Sequence, residues 1–195
     1  IHLRTQSSYS LSESTLKIDK IVQLAKQNNM PAIALTDNNN MFGVLEFSLE
    51  CIKNGIQPII GSSVNFLDVK NKDTPSQINF LVKNELGYKN LLYLSSLSHT
   101  SDNYPVGIYA RDLENHCNGL IAYIGGEYNP LLFLKYQNNT TKIKKTIKFL
   151  KNNFSENLYF EIQRIKDLKI DNFENEFIQF AEQYNIPLIG SNNVK

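Results

Sequence analysis

The sequence predicts an α/β protein built on a mostly parallel sheet. Two features of the chain predict it: short, continuously apolar runs recur along the sequence, and amphipathic helical patterns separate them. A strand that is apolar on both faces needs cover on both sides, and crossover helices provide it. A third feature bounds the size. With 195 residues, 42% hydrophobic and 20% charged, the chain has the composition of one globular domain with a substantial core, not of a disordered polypeptide. The 20 Lys+Arg and 19 Asp+Glu leave a net charge of +1, so no strong positive field recommends an autonomous nucleic-acid binder. The longest apolar runs, such as 31–35, fall far short of the roughly 20 residues that cross a bilayer. No secretory signal pattern is visible, and a soluble cytoplasmic protein is expected.

The elements can be justified in order. Ile18, Ile21, Val22 and Ala25 keep the spacing of one buried helix face. Ala32-Ile33-Ala34-Leu35 then reads as a buried strand ending at Thr36-Asp37. Residues 42–54 are helical, and Gly55 suits the left-handed cap that closes such a helix. Pro58-Ile59-Ile60-Gly61 with Val64-Asn65-Phe66 forms the next strand region, and residues 78–82 another strand. Leu91, Leu94, Ser95 and Ser98 share a helix face within 87–98, and residues 120–124 are a strand stopped by Gly125-Gly126. Ile143, Ile147, Leu150 and Phe154 mark a helix that leads into a strand at 158–162. Phe173, Phe177, Phe180, Ala181 and Tyr184 stripe the last helix before a strand at 186–190. Right-handed crossovers between such strands give either an open doubly wound sheet or a closed barrel, and periodicity does not choose between them. The sequence ends at Lys195 shortly after a strand, so a barrel is expected to be left open there, as in a fragment of a longer polypeptide.

In parallel α/β folds, chemistry gathers beyond the C-terminal ends of the strands. Here those positions are residues 2–6, Asp37-Asn38-Asn39-Asn40, Ser62-Ser63, Gly125-Gly126 and Ser191-Asn192-Asn193. Small polar residues at strand ends also serve simply as turns. Cys51 and Cys117, far apart in sequence, are expected as buried reduced thiols. His99 and His116 have no partner at ligand spacing and are expected as surface or capping histidines. Lys142, Lys144, Lys145, Lys148 and Lys151 are expected as the solvated side of an amphipathic helix. The competing reading, a DNA contact, would show as a steep salt dependence of binding.

Six ordered segments carry a family resemblance. They are His2-Leu3-Arg4-Thr5-Gln6-Ser7-Ser8-Tyr9-Ser10, Met30-Pro31-Ala32-Ile33-Ala34-Leu35-Thr36-Asp37 with Asn40-Met41-Phe42-Gly43, and Gly55-Ile56-Gln57-Pro58-Ile59-Ile60-Gly61. Asn84-Glu85-Leu86-Gly87-Tyr88-Lys89-Asn90-Leu91, Asn118-Gly119-Leu120-Ile121-Ala122 and Asn192-Asn193-Val194 follow. Together they closely resemble the N-terminal PHP (polymerase and histidinol phosphatase) domain of bacterial DNA polymerase III alpha subunits. The resemblance implies a distorted seven-stranded (β/α) barrel, a single PHP-like domain over 1–195 that is incomplete at its C-terminal end. It implies that the whole protein is a DNA-directed DNA polymerase, a nucleotidyltransferase of DNA replication. The carboxylates that hold its magnesium would lie outside this segment. The implied partners are the rest of the polymerase alpha chain and a separate proofreading exonuclease subunit. DNA would be met mainly through other domains, and no membrane is involved.

Metal-competent members of this family resemble one another in a set of nine ligands at the strand ends, mostly His with a few carboxylates and sometimes Cys. Matched position by position, those ligands fall here on Arg4, Gln6, Glu13, Asn38, Ser63, Gln77, Gly126, Asn193 and Lys195. Only Glu13 keeps ligand chemistry; His2 precedes the first pair and is not a member of it. Divalent transition metals need imidazoles, carboxylates or thiolates, and amides or hydroxyls are weak substitutes. Two unit charges 4 Å apart interact by about 4 kcal/mol at an effective dielectric of 20, so Arg4 would oppose a divalent ion by about twice that. The expectation is a vestigial metal site with no cofactor and no catalytic residue in this segment, which leaves a structural and docking module. The alternative is a metal-dependent phosphoesterase or 3′–5′ exonuclease using the same pocket. Arg4 is expected at the former metal position, paired with Glu13 or Asp37, in a pocket also lined by Gln6, Asn38, Gln77, Asn193 and Lys195.

Overall fold

The computed structural model describes residues 1–100, 105–164 and 171–195. In chain order the elements are helix α1 (Ile18–Gln27), strand β1 (Ala32–Leu35), α2 (Val44–Lys53), the long strands β2 (Gln57–Asn71) and β3 (Thr74–Val82), α3 (Glu85–Thr100) and the short α4 (Ala110–Leu113). They continue with β4 (Leu120–Gly125), α5 (Pro130–Tyr136), α6 (Thr140–Phe154), β5 (Leu158–Ile162), α7 (Asp171–Gln183) and β6 (Leu188–Gly190). The strands form one sheet in sequence order, β1-β2-β3-β4-β5-β6. The resemblance implied seven strands; six are present among the described residues.

The sheet is also less parallel than the apolar runs suggest. β1–β2, β4–β5 and β5–β6 pair in parallel, but β2–β3 and β3–β4 are antiparallel. The cause of the first reversal is local. Asn71 faces Thr74 across a turn made only of Lys72 and Asp73, with Lys72 at φ 55°. So short a connection joins antiparallel neighbours, whereas a parallel pair needs a crossover of a dozen residues or more.

Residues 2–6 run along the free edge of β1. The Ala34 amide donates to the His2 carbonyl at 2.9 Å and the Thr36 amide to the Thr5 carbonyl at 2.8 Å. On the other side the Gln6 amide donates to Val194 at 2.9 Å, and the Val194 amide donates to Arg4 at 3.1 Å. At the end expected to be left open at Lys195, the free edge of β1 and the segment after β6 are therefore joined through residues 2–6 by backbone hydrogen bonds. The link is a single bridge, Thr5 with Val194, and not a regular strand.

The helices bury the faces their spacing dictates. Ile18, Ile21, Val22 and Ala25 of α1 are buried, as are Ile143, Ile147, Leu150 and Phe154 of α6. Phe177 of α7 stacks on Phe160 of β5, with ring centroids 4.4 Å apart and planes 6° off parallel, which fixes that helix to its strand. Gly55 takes φ 71° after α2, the left-handed cap expected of it. Helix α5 had no signal in the periodicity because residues 130–134 are all apolar and all buried. Its start was encoded instead in Asn129-Pro130: the Asn129 side chain accepts from the Leu131 amide at 3.0 Å, and proline occupies the first turn. Cys51 and Cys117 are both buried and unbridged, as expected.

Candidate functional site

The segments immediately after β1, β4, β5 and β6 converge with residues 4–10 on a polar cluster. Its first part is organised by Asp37, the residue that ends the apolar run of β1. The buried Asp37 carboxylate accepts from the Ser7 amide at 2.7 Å, from the Ser7 hydroxyl at 2.8 Å and from the Ser10 hydroxyl at 2.6 Å. The Ser62 hydroxyl donates to the Asp37 carbonyl at 2.9 Å, which holds the turn against β2. Asn38 makes a parallel bridge with Ser63, so the β1–β2 pairing runs on into the site.

Its second part is organised by Arg4, one of the largest fully buried side chains in the protein. The guanidinium donates from Nη1 to Glu161 Oε2 at 3.0 Å and from Nη2 to Gln77 Oε1 at 3.4 Å. Glu161 is itself buried, and its other oxygen accepts from the Ser191 hydroxyl. Gln77 is held in turn by Asn65, to whose Oδ1 it donates at 3.3 Å. Burial, together with the nearby Glu161 carboxylate, pushes the Tyr123 phenol well above its usual range. That phenol stays a donor, to the Leu3 carbonyl at 2.8 Å.

The structure brings together most of the residues singled out from sequence, in a different arrangement from the one expected. Arg4, Gln6, Ser63 and Gln77 are buried and packed, so they form a plug and not the lining of an open pocket. Gln6 donates to Asn38 Oδ1 at 3.1 Å, and Ser63 donates to Asn79 Oδ1 at 2.5 Å. Gly126 sits at φ 65°, where a side chain would be strained, and a Cβ there would lie 2.7 Å from Gln163 Oε1 and 3.3 Å from Arg4 Nη1, so those two side chains would have to shift to admit one. The Asn193 side-chain oxygen is buried without a partner, alongside Arg4 Nε and Gln6 Oε1. Glu13 and Lys195 stand apart from this plug: both are exposed and pair with each other at 3.4 Å.

The partner expected for Arg4 is corrected: it is neither Glu13 nor Asp37 but Glu161. Asp37 is engaged by serines, and Glu13 faces solvent. Glu161 lies inside the strand Leu158-Tyr159-Phe160-Glu161-Ile162, where it reads as one polar residue in an apolar run. The signal was that incongruity, because a carboxylate inside an apolar strand is almost never buried unpaired. Among the described residues, no group of three or more His, Cys, Asp or Glu comes together. The exposed His99 bonds to the Asn39 carbonyl at 2.6 Å, and the half-buried His116 to the Asp112 carbonyl at 3.0 Å.

Comparison with known proteins gives a consistent picture. Residues 2–165 match the PHP domain family. The DNA polymerase III subunit alpha of Rickettsia felis is 41% identical over 201 residues, covering 100% of this chain and 16% of that protein. The DNA polymerase III subunit alpha of Borreliella burgdorferi is 38% identical over 212 residues, covering 99% of the chain and 18% of that protein. The chain therefore spans about one-sixth of the length of the curated relatives it matches. Among solved structures, an amidohydrolase from Chromobacterium violaceum superposes with a TM-score of 0.63 at 12% identity, covering 99% of this chain and 86% of that one. A two-domain protein from Bacteroides vulgatus containing a predicted PHP-like metal-dependent phosphoesterase gives 0.61 at 15% identity, covering 99% and 51%. At such identities these two establish a shared fold.

Proposed function

The chain belongs to the PHP domain family, and from that premise we propose that it is the N-terminal domain of a DNA polymerase III alpha subunit, acting as a metal-free structural and docking module. The observation that carries this reading is the buried Arg4–Glu161 pair at the centre of the polar cluster. The residues around it do not fit a cluster of divalent ions. Gln6, Asn38, Ser63 and Gln77 offer amides and a hydroxyl, which are weak ligands. Among the described residues the two buried carboxylates are already engaged, Asp37 by Ser7 and Ser10, Glu161 by Arg4 and Ser191. A cation would have to displace those donors and sit beside the positively charged Arg4 guanidinium. A buried ion pair in place of metal ligands suits an architectural role better than hydrolysis.

In this reading the parent polypeptide catalyses template-directed DNA synthesis in the cytoplasm, with magnesium held by carboxylates of another domain. The present domain braces that polymerase and receives a proofreading exonuclease subunit on its outer surface.

The test uses the full-length polypeptide and the isolated chain side by side. The full-length polypeptide is expected to extend a primed template with deoxynucleotides and to co-elute with the exonuclease subunit. The isolated chain is expected to release no product from p-nitrophenyl phosphate or from a labelled DNA 3′ end, with Zn²⁺, Mn²⁺ or Mg²⁺ present. Metal-dependent hydrolysis by the isolated chain, abolished by Glu13→Gln, would overturn the module in favour of a phosphoesterase.

A further inference from the structure

Helix α2 presents apolar side chains in two directions. Val44, Phe47 and Cys51 are buried on its inner face. Leu45, Leu49 and Ile52 stand on the opposite face, 72%, 61% and 67% exposed. Their spacing of four and three residues makes one continuous stripe along the helix. At the start of α2 the stripe runs on to Phe42, 69% exposed, which lines an open groove of about 360 Å³ together with Tyr9, Leu11, Glu13 and His99. Leu11, 83% exposed, extends the apolar surface across the groove. Tyr9 fastens the two parts together, because its hydroxyl donates to Glu46 Oε2 of α2 at 3.1 Å.

Helices α1 and α6 look different. The exposed positions of α1 include Asp19, Lys20, Gln23 and Gln27, and those of α6 include Lys144, Lys145 and Lys148. A solvated helix shows polar residues on its outer face, whereas a contiguous row of large apolar side chains marks a contact surface.

Two facts bear on what would cover the strip. The chain's last residue lies beside it: Lys195 Nζ is 3.4 Å from Glu13 Oε2, and Glu13 lines the groove with Phe42 and Leu11. The relatives matched along the whole chain are about six times as long as it is. Polypeptide that continues past Lys195 would leave the domain at the mouth of this groove, at an effective concentration that a separate molecule rarely reaches. We infer that Leu11, Phe42, Leu45, Leu49 and Ile52 are the seat of the polypeptide that follows residue 195, docked in cis through an apolar face of its own. The inference rests on reading the chain as one domain of a polymerase alpha subunit.

The experiment places the photo-crosslinking residue p-benzoylphenylalanine at Leu49 in the full-length polypeptide, irradiates it, and maps the cross-linked peptides by mass spectrometry. A second preparation carries the same residue at Lys148, on the lysine-bearing face of α6, as the control. Cross-links from position 49 to residues beyond 195 of the same chain are expected, at least ten times more abundant than from position 148. Mixing isotope-labelled and unlabelled protein separates links within a chain from links between copies. Links to a second copy, links to a different polypeptide, or no links above the control each overturn the inference. If the full-length polypeptide extends primers and yet shows one of those outcomes, the polymerase reading stands and the docking inference alone fails. If the natural polypeptide ends near residue 195 by intact mass, the reading itself has failed.

Discussion

Two carboxylates are buried at the same end of the sheet, and they are held in opposite ways. Asp37 accepts three short hydrogen bonds from neutral donors on Ser7 and Ser10, 30 and 27 residues away in sequence. Glu161 is paired with a cation, Arg4, 157 residues away. The first arrangement belongs to one turn, packed over the end of β1. The second ties the first residues of the chain to β5, across the edge where the two ends of the curled sheet are linked only by a few backbone hydrogen bonds. Neutral donors leave the negative charge in place and share the burden of solvating it. A guanidinium cancels the charge but makes the burial of each partner conditional on the other.

That contrast ranks the consequences of mutation. Arg4→Met leaves Glu161 buried without its cation, and urea unfolding should show a loss of about 3–5 kcal/mol. Pairing it with Glu161→Leu should recover most of that loss, since replacing both members of a buried pair by apolar side chains is often neutral. A double variant as unstable as the single one would break the comparison, because it would mean that packing and not charge holds this end together. Asp37→Asn keeps the shape and removes the charged acceptor, so a smaller loss of about 1.5–3 kcal/mol is expected. Ser63→Ala removes the donor to Asn79 between two strands and should cost about 1 kcal/mol by the same measurement, with no dependence on the Arg4 background.

Thiol labelling supplies a graded readout of the same comparison. Burial pushes the Cys51 thiol up from 9.0 to about 11. At pH 8 roughly one thiol in a thousand is then ionised, so labelling of the folded protein should be slow and should follow opening of the structure. The expected order of labelling rates is Arg4→Met fastest, Asp37→Asn intermediate and the unaltered chain slowest. Equal rates in the three would confine the effect of Arg4 to its own surroundings.

Much of the fold was legible because it is written locally. The faces of α1, α3, α6 and α7, the strands β4 and β5 and the cap at Gly55 each follow from spacing within one element. The β2–β3 reversal was less visible, because Lys72-Asp73 is a two-residue turn without the Asn-Gly or Asp-Gly wording that usually announces one. Helix α5 was hidden by its own burial, which erases the polar half of the helical pattern. In the site, Asp37 and its serines could be anticipated as a strand end and its turn. The Arg4–Glu161 pair could not be assigned by spacing, since its partners are brought together only when the sheet curls and its first residues meet its last. The candidates Glu13 and Asp37 were nearer in sequence, and proximity in sequence is a poor guide to pairing inside a curled sheet.

The central claim is that a buried ion pair stands where the family's resemblance would put metal ions. Its most direct test is the metal content of the purified protein, measured by mass spectrometry after incubation with Zn²⁺ and Mn²⁺ and then desalting. The account predicts a ratio of metal to chain near zero, unchanged by the length of incubation. A stoichiometric ratio would contradict it and would mean that the polar cluster opens to admit a cation that its donors, as arranged around Arg4, do not suit.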